Sequence, residues 1–489
     1  MLLKNVLGIA VFTGALCAQG PTGLKVVSAT RNGVELSWNG VPGATGYQVE
    51  RRIEPAPYAA AGTPTKETSA TDSKIDVYAT YQYRVKVVGA SAASNEVTVG
   101  PPPAGYNVAV PTPANTEANF AHKLTMALDA NGDPIFAYIF RDPNRNNRPE
   151  ENQLFFGGWD RASYSWRKPL QVDVIGRISQ FGLSISLAAD AATGQLALAS
   201  AREGNLPSVA LSSDNGKTWT IHAVPRVKGE LEAAGCTVAL ANGAIYLAYF
   251  TPIGPLYIRG QTADEPAKWT HIPVPPRPPN TQRPIGHMAL DASGQPAIVF
   301  LASLPKGVSV NYWRPGGEPS QAFDTNKVQN DAPDIRLAFD GNKPRLLFAG
   351  GRDTVAVHNI WFSVSDDGSV WSEPVVVPND GNRGMSGPMT LAIDSKGAFA
   401  VSSRDGGGNY GGMKCGWPKL SFSSDGQQWT TCSPNPKDLT NIAYFITAAY
   451  PGDNRLYVTY RSSGPNNGIN AIVVWHEGAS AAANISIHK

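Results

Sequence analysis

The sequence predicts an all-β chain: a small β-sandwich followed by a larger region of repeated four-stranded sheets. Three observations predict it. Charged residues fill only 16% of the 489 positions, and 49 glycines and 39 prolines accompany them, a composition of many short strands joined by turns. Apolar and polar residues alternate with the two-residue period of strands through the first hundred positions. One eight-residue stretch, Ser212-Ser213-Asp214-Asn215-Gly216-Lys217-Thr218-Trp219, recurs through the remainder. A chain of this length suits two or three units.

The first nineteen residues hold Lys4, an apolar run from Val6 to Cys17, and small residues at Ala18 to Gly20. That order is expected of a secretory signal peptide over residues 1–19, and the run is short for a membrane span. Cys17 invites lipid attachment, although Gly14-Ala15-Leu16 fits the required small-residue pattern poorly. Export to the medium, the periplasm or the cell surface is the expectation. The 41 basic and 39 acidic residues leave no global field for nucleic acid or anionic membrane. Beyond the signal, Cys236 reads as a small buried side chain, while Cys415 and Cys432 flank one hairpin and could pair in an oxidising compartment. No Cys-x-x-Cys and no ligand spacing among the seven histidines leads us to expect neither metal nor cofactor.

Residues 20–100 carry the alternations Val34-x-Leu36-x-Trp38, Tyr47-x-Val49-x-Arg51 and Tyr81-x-Tyr83-x-Val85. This segment resembles a fibronectin type III domain. Trp38 fits its buried core tryptophan, and Tyr81 fits the tyrosine-corner position of Tyr-x-Tyr-Arg-Val. The resemblance implies a spacer or adhesion module; Arg-Gly-Asp is absent and no chemistry is visible. Pro101-Pro102-Pro103 makes residues 101–104 a stiff linker.

From residue 105 to 489 the repeat takes over. Strong copies end at Trp219, Trp371 and Trp429, and degraded ones at Trp166, Trp269 and Phe323, at separations of 53, 50, 54, 48 and 58 residues. In each strong copy an Asp carboxylate caps backbone N–H groups, the Gly accepts positive φ, and the Trp opens the returning strand. The motif resembles the Asp box of sialidase-type β-propellers. There the boxes occupy turns opposite the binding face, so Asp214, Asp366 and Asp425 read as structural. Seven apolar hairpins accompany the boxes: Leu124 to Phe140, Ile185 to Ala199, Thr237 to Phe250, His287 to Leu301, Ile335 to Phe348, Thr390 to Ser402 and Ile446 to Tyr460. Ala471 to Trp475 and a last strand near Asn484 to His488 follow. At about 55 residues per unit, seven four-stranded blades are expected; six, the sialidase number, is the alternative.

The functional signal lies where the second strand of each unit ends. The chain reads Arg141-Asp142, Arg202-Glu203, Arg352-Asp353, Arg404-Asp405 and, without the acid, Arg461. Guanidinium groups gathered on one face would bind carboxylate or sulfate bidentately, and Asp142, Glu203, Asp353 and Asp405 are candidate proton-transfer groups. The same pairs read equally as turn caps or salt bridges repeated with the fold. Tyr410, in a Gly-rich loop beside Trp417, could stack on a sugar ring, and the Pro-rich stretch from Pro273 to Pro284 could be a rigid wall. The sialidase resemblance implies three Arg, a Tyr–Glu nucleophile pair and an Asp acid/base, yet Glu117 to Lys123 lacks the expected Arg motif. Phe140-Arg141-Asp142-Pro143 follows its hairpin rather than preceding it, and among tyrosines near the C-terminus Tyr460-Arg461 comes closest to a nucleophile setting. The expectation is therefore a secreted carbohydrate-recognising protein, with acidic glycans as partners and cell-surface attachment compatible. The alternatives are an exo-glycosidase of the sialidase type and a non-catalytic interaction scaffold.

Overall fold

The computed structural model describes residues 19–103, 105–111, 123–141, 152–176, 184–202, 206–224, 235–251, 254–272, 285–303, 308–324, 334–351, 358–378, 389–404, 418–432, 442–449, 455–463 and 471–476. Regular structure among them is all strand apart from a 3-10 turn at Pro266–Lys268. No described helix is long and apolar enough to cross a membrane. The chain divides into two compact units, Met1–Pro102 with Asp160–Ser165, and Pro103–Trp159 with Trp166–Lys489. The signal-peptide reading of residues 1–18 lies outside the described residues.

In the first unit, Thr22–Thr30, Gly33–Asn39 and Ser69–Asp72 form one sheet, and Ala59–Ala60, Tyr47–Arg52, Tyr81–Val87 and Val97–Val99 form another. The period-two pattern sends Val34, Leu36 and Trp38 from one sheet, and Tyr47, Val49, Tyr83 and Val85 from the other, into a single buried cluster. Trp38 meets Tyr47 edge-on, with centroids 5.6 Å apart. Buried tyrosines need a partner at the polar tip: Tyr47 Oη accepts from the Val41 N–H at 2.8 Å, and Tyr81 Oη accepts from the Asp76 N–H at 2.8 Å.

Among the described residues the second unit is a run of seven sheets, each open at its edges. In chain order their first strands are Leu124–Leu128, Ile185–Ala189, Gly235–Ala241, Gly286–Leu290, Ile335–Asp340, Thr390–Ile393 and Ile442–Ala449. Their second strands, antiparallel to these, are Pro134–Arg141, Leu196–Arg202, Ala244–Thr251, Pro296–Ser303, Lys343–Gly351, Phe399–Arg404 and Tyr457–Ser463. The first strands adjoin one another in sequence, and that of the seventh sheet adjoins that of the first. The seventh sheet takes its fourth strand from Gly105–Pro111, which pairs antiparallel with Ala471–His476. A C-terminal strand was expected in that place; residues 484–488 lie outside the described set. Filling the position from the start of the unit hides an edge that would otherwise offer unpaired N–H and C=O groups.

The second strands are almost wholly buried: Leu196 to Ala201 and Ala244 to Phe250 are each covered on both sides. They therefore read as continuous apolar runs rather than alternating ones.

Candidate functional site

Because each sheet is an antiparallel meander, its turns sort to two ends. At one end lie the first-hairpin turns and the Asp boxes. In the box of the second sheet, the Asp214 carboxylate accepts from the N–H groups of Lys217 (3.0 Å) and Thr218 (2.9 Å) and from the Thr218 hydroxyl (2.6 Å). The Thr218 hydroxyl leads the groups that hold its pKa down, at about 2. Asp425 repeats the geometry on Gln427 and Gln428. In the box of the fifth sheet Asp367, not Asp366, caps Ser369 at 2.8 Å, while Asp366 pairs with Lys343. Each box tryptophan donates Nε1–H to the carbonyl of its own box glycine, at 3.1–3.3 Å. Each also meets an aromatic ring of the preceding sheet edge-on: Trp219 with Phe156, Trp371 with Tyr312, Trp429 with Phe362. The boxes are inter-sheet locks.

The first-hairpin turns hold a second aspartate series that sequence reading missed. Asp129 Oδ1 accepts from the N–H of Asn131 and Asp133, Asp291 Oδ1 from Ser293 and Gln295, and Asp394 Oδ1 from Lys396 and Ala398. The signal was present as Asp followed by Gly three positions later at Gly132, Gly294 and Gly397.

The opposite end carries the starts of the first strands and the ends of the second strands, and here the chemistry is more varied. The first strands are edge strands, so their outer N–H groups need partners. Side chains of the preceding sheet supply them. Ser184 Oγ and Ser186 Oγ accept from Cys236 and Val238 (3.2 and 3.1 Å). His287 Nδ1 accepts from Leu337 at 3.3 Å, and Asp334 Oδ2 from Met389 at 3.0 Å. Cys236 is buried beside Ser184; burial pushes its thiol up to about 12, leaving an inert side chain.

At this end Asp334 and Arg336 of the fifth sheet form an ion pair, and the half-buried Lys123 feels both charges. Asp334 Oδ1 accepts from Arg336 Nη1, and Lys123 lies within electrostatic reach of both. Burial is the largest influence on Lys123 and lowers its pKa; Asp334 opposes the shift and Arg336 adds to it. Burial, reinforced by Arg336, likewise pushes His287 down to about 3, so its ring is neutral and can accept from Leu337. Asp334 is thus ion-paired to Arg336, with the Lys123 amine in electrostatic range of both, and a cation-lined strand end of this kind can take an added anion.

The arginines predicted from sequence sit at the same strand end. Arg202 closes its second strand and pairs with Asp173 of the first sheet at 2.9 Å, a bond between sheets. Burial still holds Asp173 above its ordinary range, with Arg202 opposing. Arg141 and Arg404 close the second strands of the first and sixth sheets, and Arg461 lies within that of the seventh; their side chains are outside the described set. Asp142, Glu203, Arg352, Asp353, Asp405, Tyr410, Cys415, Trp417 and the Pro273 to Pro284 stretch lie outside the described residues, as does the Cys432 side chain. Among the described residues no group of three or more His, Cys, Asp or Glu could hold a metal ion.

No protein-family model matches the chain. A poly(3-hydroxybutyrate) depolymerase from Ralstonia pickettii is 33% identical over 120 residues, 24% of this chain. The chain spans about a quarter (23%) of that relative's length. An intramolecular trans-sialidase from Ruminococcus gnavus is similar at 11% identity and a TM-score of 0.40, over 79% of this chain and 99% of that one. An α-L-arabinofuranosidase from Fusarium graminearum is similar at 13% identity and a TM-score of 0.42, over 76% of this chain and 97% of that one. Solved structures similar to this all-β chain thus include propeller glycosidases, at low identity.

Proposed function

We propose that residues 105–489 form a seven-bladed Asp-box propeller, that residues 20–100 form a fibronectin type III domain, and that the exported protein recognises a carbohydrate bearing an acidic group. The ring reading is supported by the adjacency of the seventh first strand to the first, and by the strand 105–111 completing the last sheet.

One observation carries the ligand reading. Arg336 is ion-paired with Asp334, and Lys123 stands in electrostatic range of both, at the end where second strands close with Arg141, Arg202 and Arg404 and near which another carries Arg461. Cations drawn from that many sheets create a site for a carboxylate or sulfate, and the sugar follows from the Asp-box resemblance. Asp142, Glu203, Asp353 and Asp405, each next in sequence to an arginine of the series, are the proton-transfer candidates of a glycosidase reading.

The test is binding of the mature protein to an acidic-glycan array, with hydrolysis of a fluorogenic sialoside run in parallel. Retention that is lost in Arg352→Ala and Lys123→Met supports recognition. Turnover lost in the same variants converts the reading to a glycosidase. A blank array and no turnover would leave an interaction scaffold.

A further inference from the structure

The junction between the second and third sheets lacks a contact that three others have. At those three a box glycine lies against an aromatic ring of the preceding sheet: a Cβ built on Gly216, Gly368 or Gly426 would fall 2.1, 2.2 or 2.5 Å from Phe156, Tyr312 or Phe362. In the third sheet Pro266 occupies the glycine place, and Trp269 turns onto Gly260 of its own sheet, where a Cβ would fall 2.0 Å from the indole. Where the lock lapses, a cleft of about 170 Å³ opens at the Asp-box end.

The cleft is polar without being charged. Ser213 and His222 of the second sheet line it with Gln195 and with Thr262 of the third, and no acid, lysine or arginine is among its lining residues. Thr262 Oγ1 donates to Gln195 Oε1, which fixes that amide with its NH₂ side left to donate. Buried Leu196 and half-buried Leu211 add apolar surface. Its room, on the order of ten water-sized atoms, suits a single ring rather than a polymer.

We infer that this cleft is a second binding site, for one neutral pyranose unit, at the end of the second unit opposite the acidic-ligand site. Hydroxyl, imidazole and primary-amide groups offer the mixed donors and acceptors that sugar hydroxyls require. The leucines match the C–H face of the ring, and the absence of lining charge disfavours uronic or sialic acids. The site is independent of the acidic-glycan reading, because it shares no residue with the cluster around Asp334.

The experiment is saturation-transfer NMR of the mature protein with glucose, galactose, mannose, N-acetylglucosamine and galacturonic acid. His222→Ala removes a lining polar group, and Ser213→Phe fills the cleft at an exposed position. The expected result is millimolar binding of at least one neutral sugar, weakened about tenfold in His222→Ala, a change of about 1.4 kcal/mol, and lost in Ser213→Phe. Melting temperature and acidic-array binding stay unchanged in both variants. Absence of binding by every neutral sugar, equal binding in both variants, or a preference for galacturonic acid would each overturn the assignment. Loss of acidic-array binding in Lys123→Met alone would count only against the other site.

Discussion

Gly216 lies against Phe156 so closely that a Cβ on the glycine would sit 2.1 Å from the ring's Cε1 atom. The glycine also has φ +80, a conformation that an L side chain adopts only with strain. Gly216→Ala is therefore expected to cost about 2–4 kcal/mol, from left-handed strain of about 1 kcal/mol together with overpacking of about 1–3 kcal/mol. Chemical denaturation of the purified protein checks it. A cost below half a kilocalorie would mean that the Phe156 ring yields freely.

In the first unit the Asp72 carboxylate is buried and accepts from Arg51, from the Lys74 N–H at 3.1 Å and from the Tyr83 hydroxyl at 2.9 Å. Removing it strands a half-buried guanidinium and a buried phenol. Asp72→Ala should destabilise the unit by about 3–5 kcal/mol. Asp72→Asn, which can still accept from Tyr83 and Lys74, should cost less. Thermal unfolding of the three proteins gives the ranking, and equal melting points would refute the role.

His287 supplies a pH signature. Its pKa is about 3 in the folded chain against an ordinary 6.5, so the unfolded state binds the proton more readily. Stability is then full above about pH 6.5 and falls by at most about 1.4 kcal/mol per unit as pH drops from there toward 3. His287→Gln keeps an acceptor for Leu337 and removes the titration. The variant should lose less stability between pH 7 and pH 4 than the parent; parallel losses would exclude His287 as the source.

Asp214 titrates in the same direction but lower, since its folded pKa is about 2. Its stabilising effect is present above the ordinary carboxylate range and fades as pH falls through that range toward 2. As a turn cap, Asp214→Ala should cost about 1 kcal/mol at neutral pH without altering acidic-glycan binding, because the box lies at the far strand end. A change in glycan retention without a change in melting temperature would contradict that placement.

Local patterns made much of this structure legible. The Val34, Leu36 and Trp38 alternation identified a buried face, and the six strong and degraded box copies marked one turn in each of six sheets, because turn chemistry and strand period are written in neighbouring residues. The Arg at the second-strand ends was legible for the same reason. The cluster of Lys123, His287, Asp334 and Arg336 was not, since Lys123 stands more than two hundred residues from Arg336 in the chain and nothing local links them. Pro266 was legible as a degraded copy, but not its consequence, because the cleft depends on how Gln195, His222 and Thr262 meet across the junction.

Strand Gly105–Pro111 is among the first parts of the second unit to be synthesised, and its partner, Ala471–His476, is among the last. Until residue 476 has left the ribosome the early strand has no native neighbour and remains an open edge, ready to pair with any extended segment it meets. A truncated message would therefore yield a sticky chain rather than a smaller working one. The seam of two short strands thus ties the start of the second unit to a segment more than three hundred residues later.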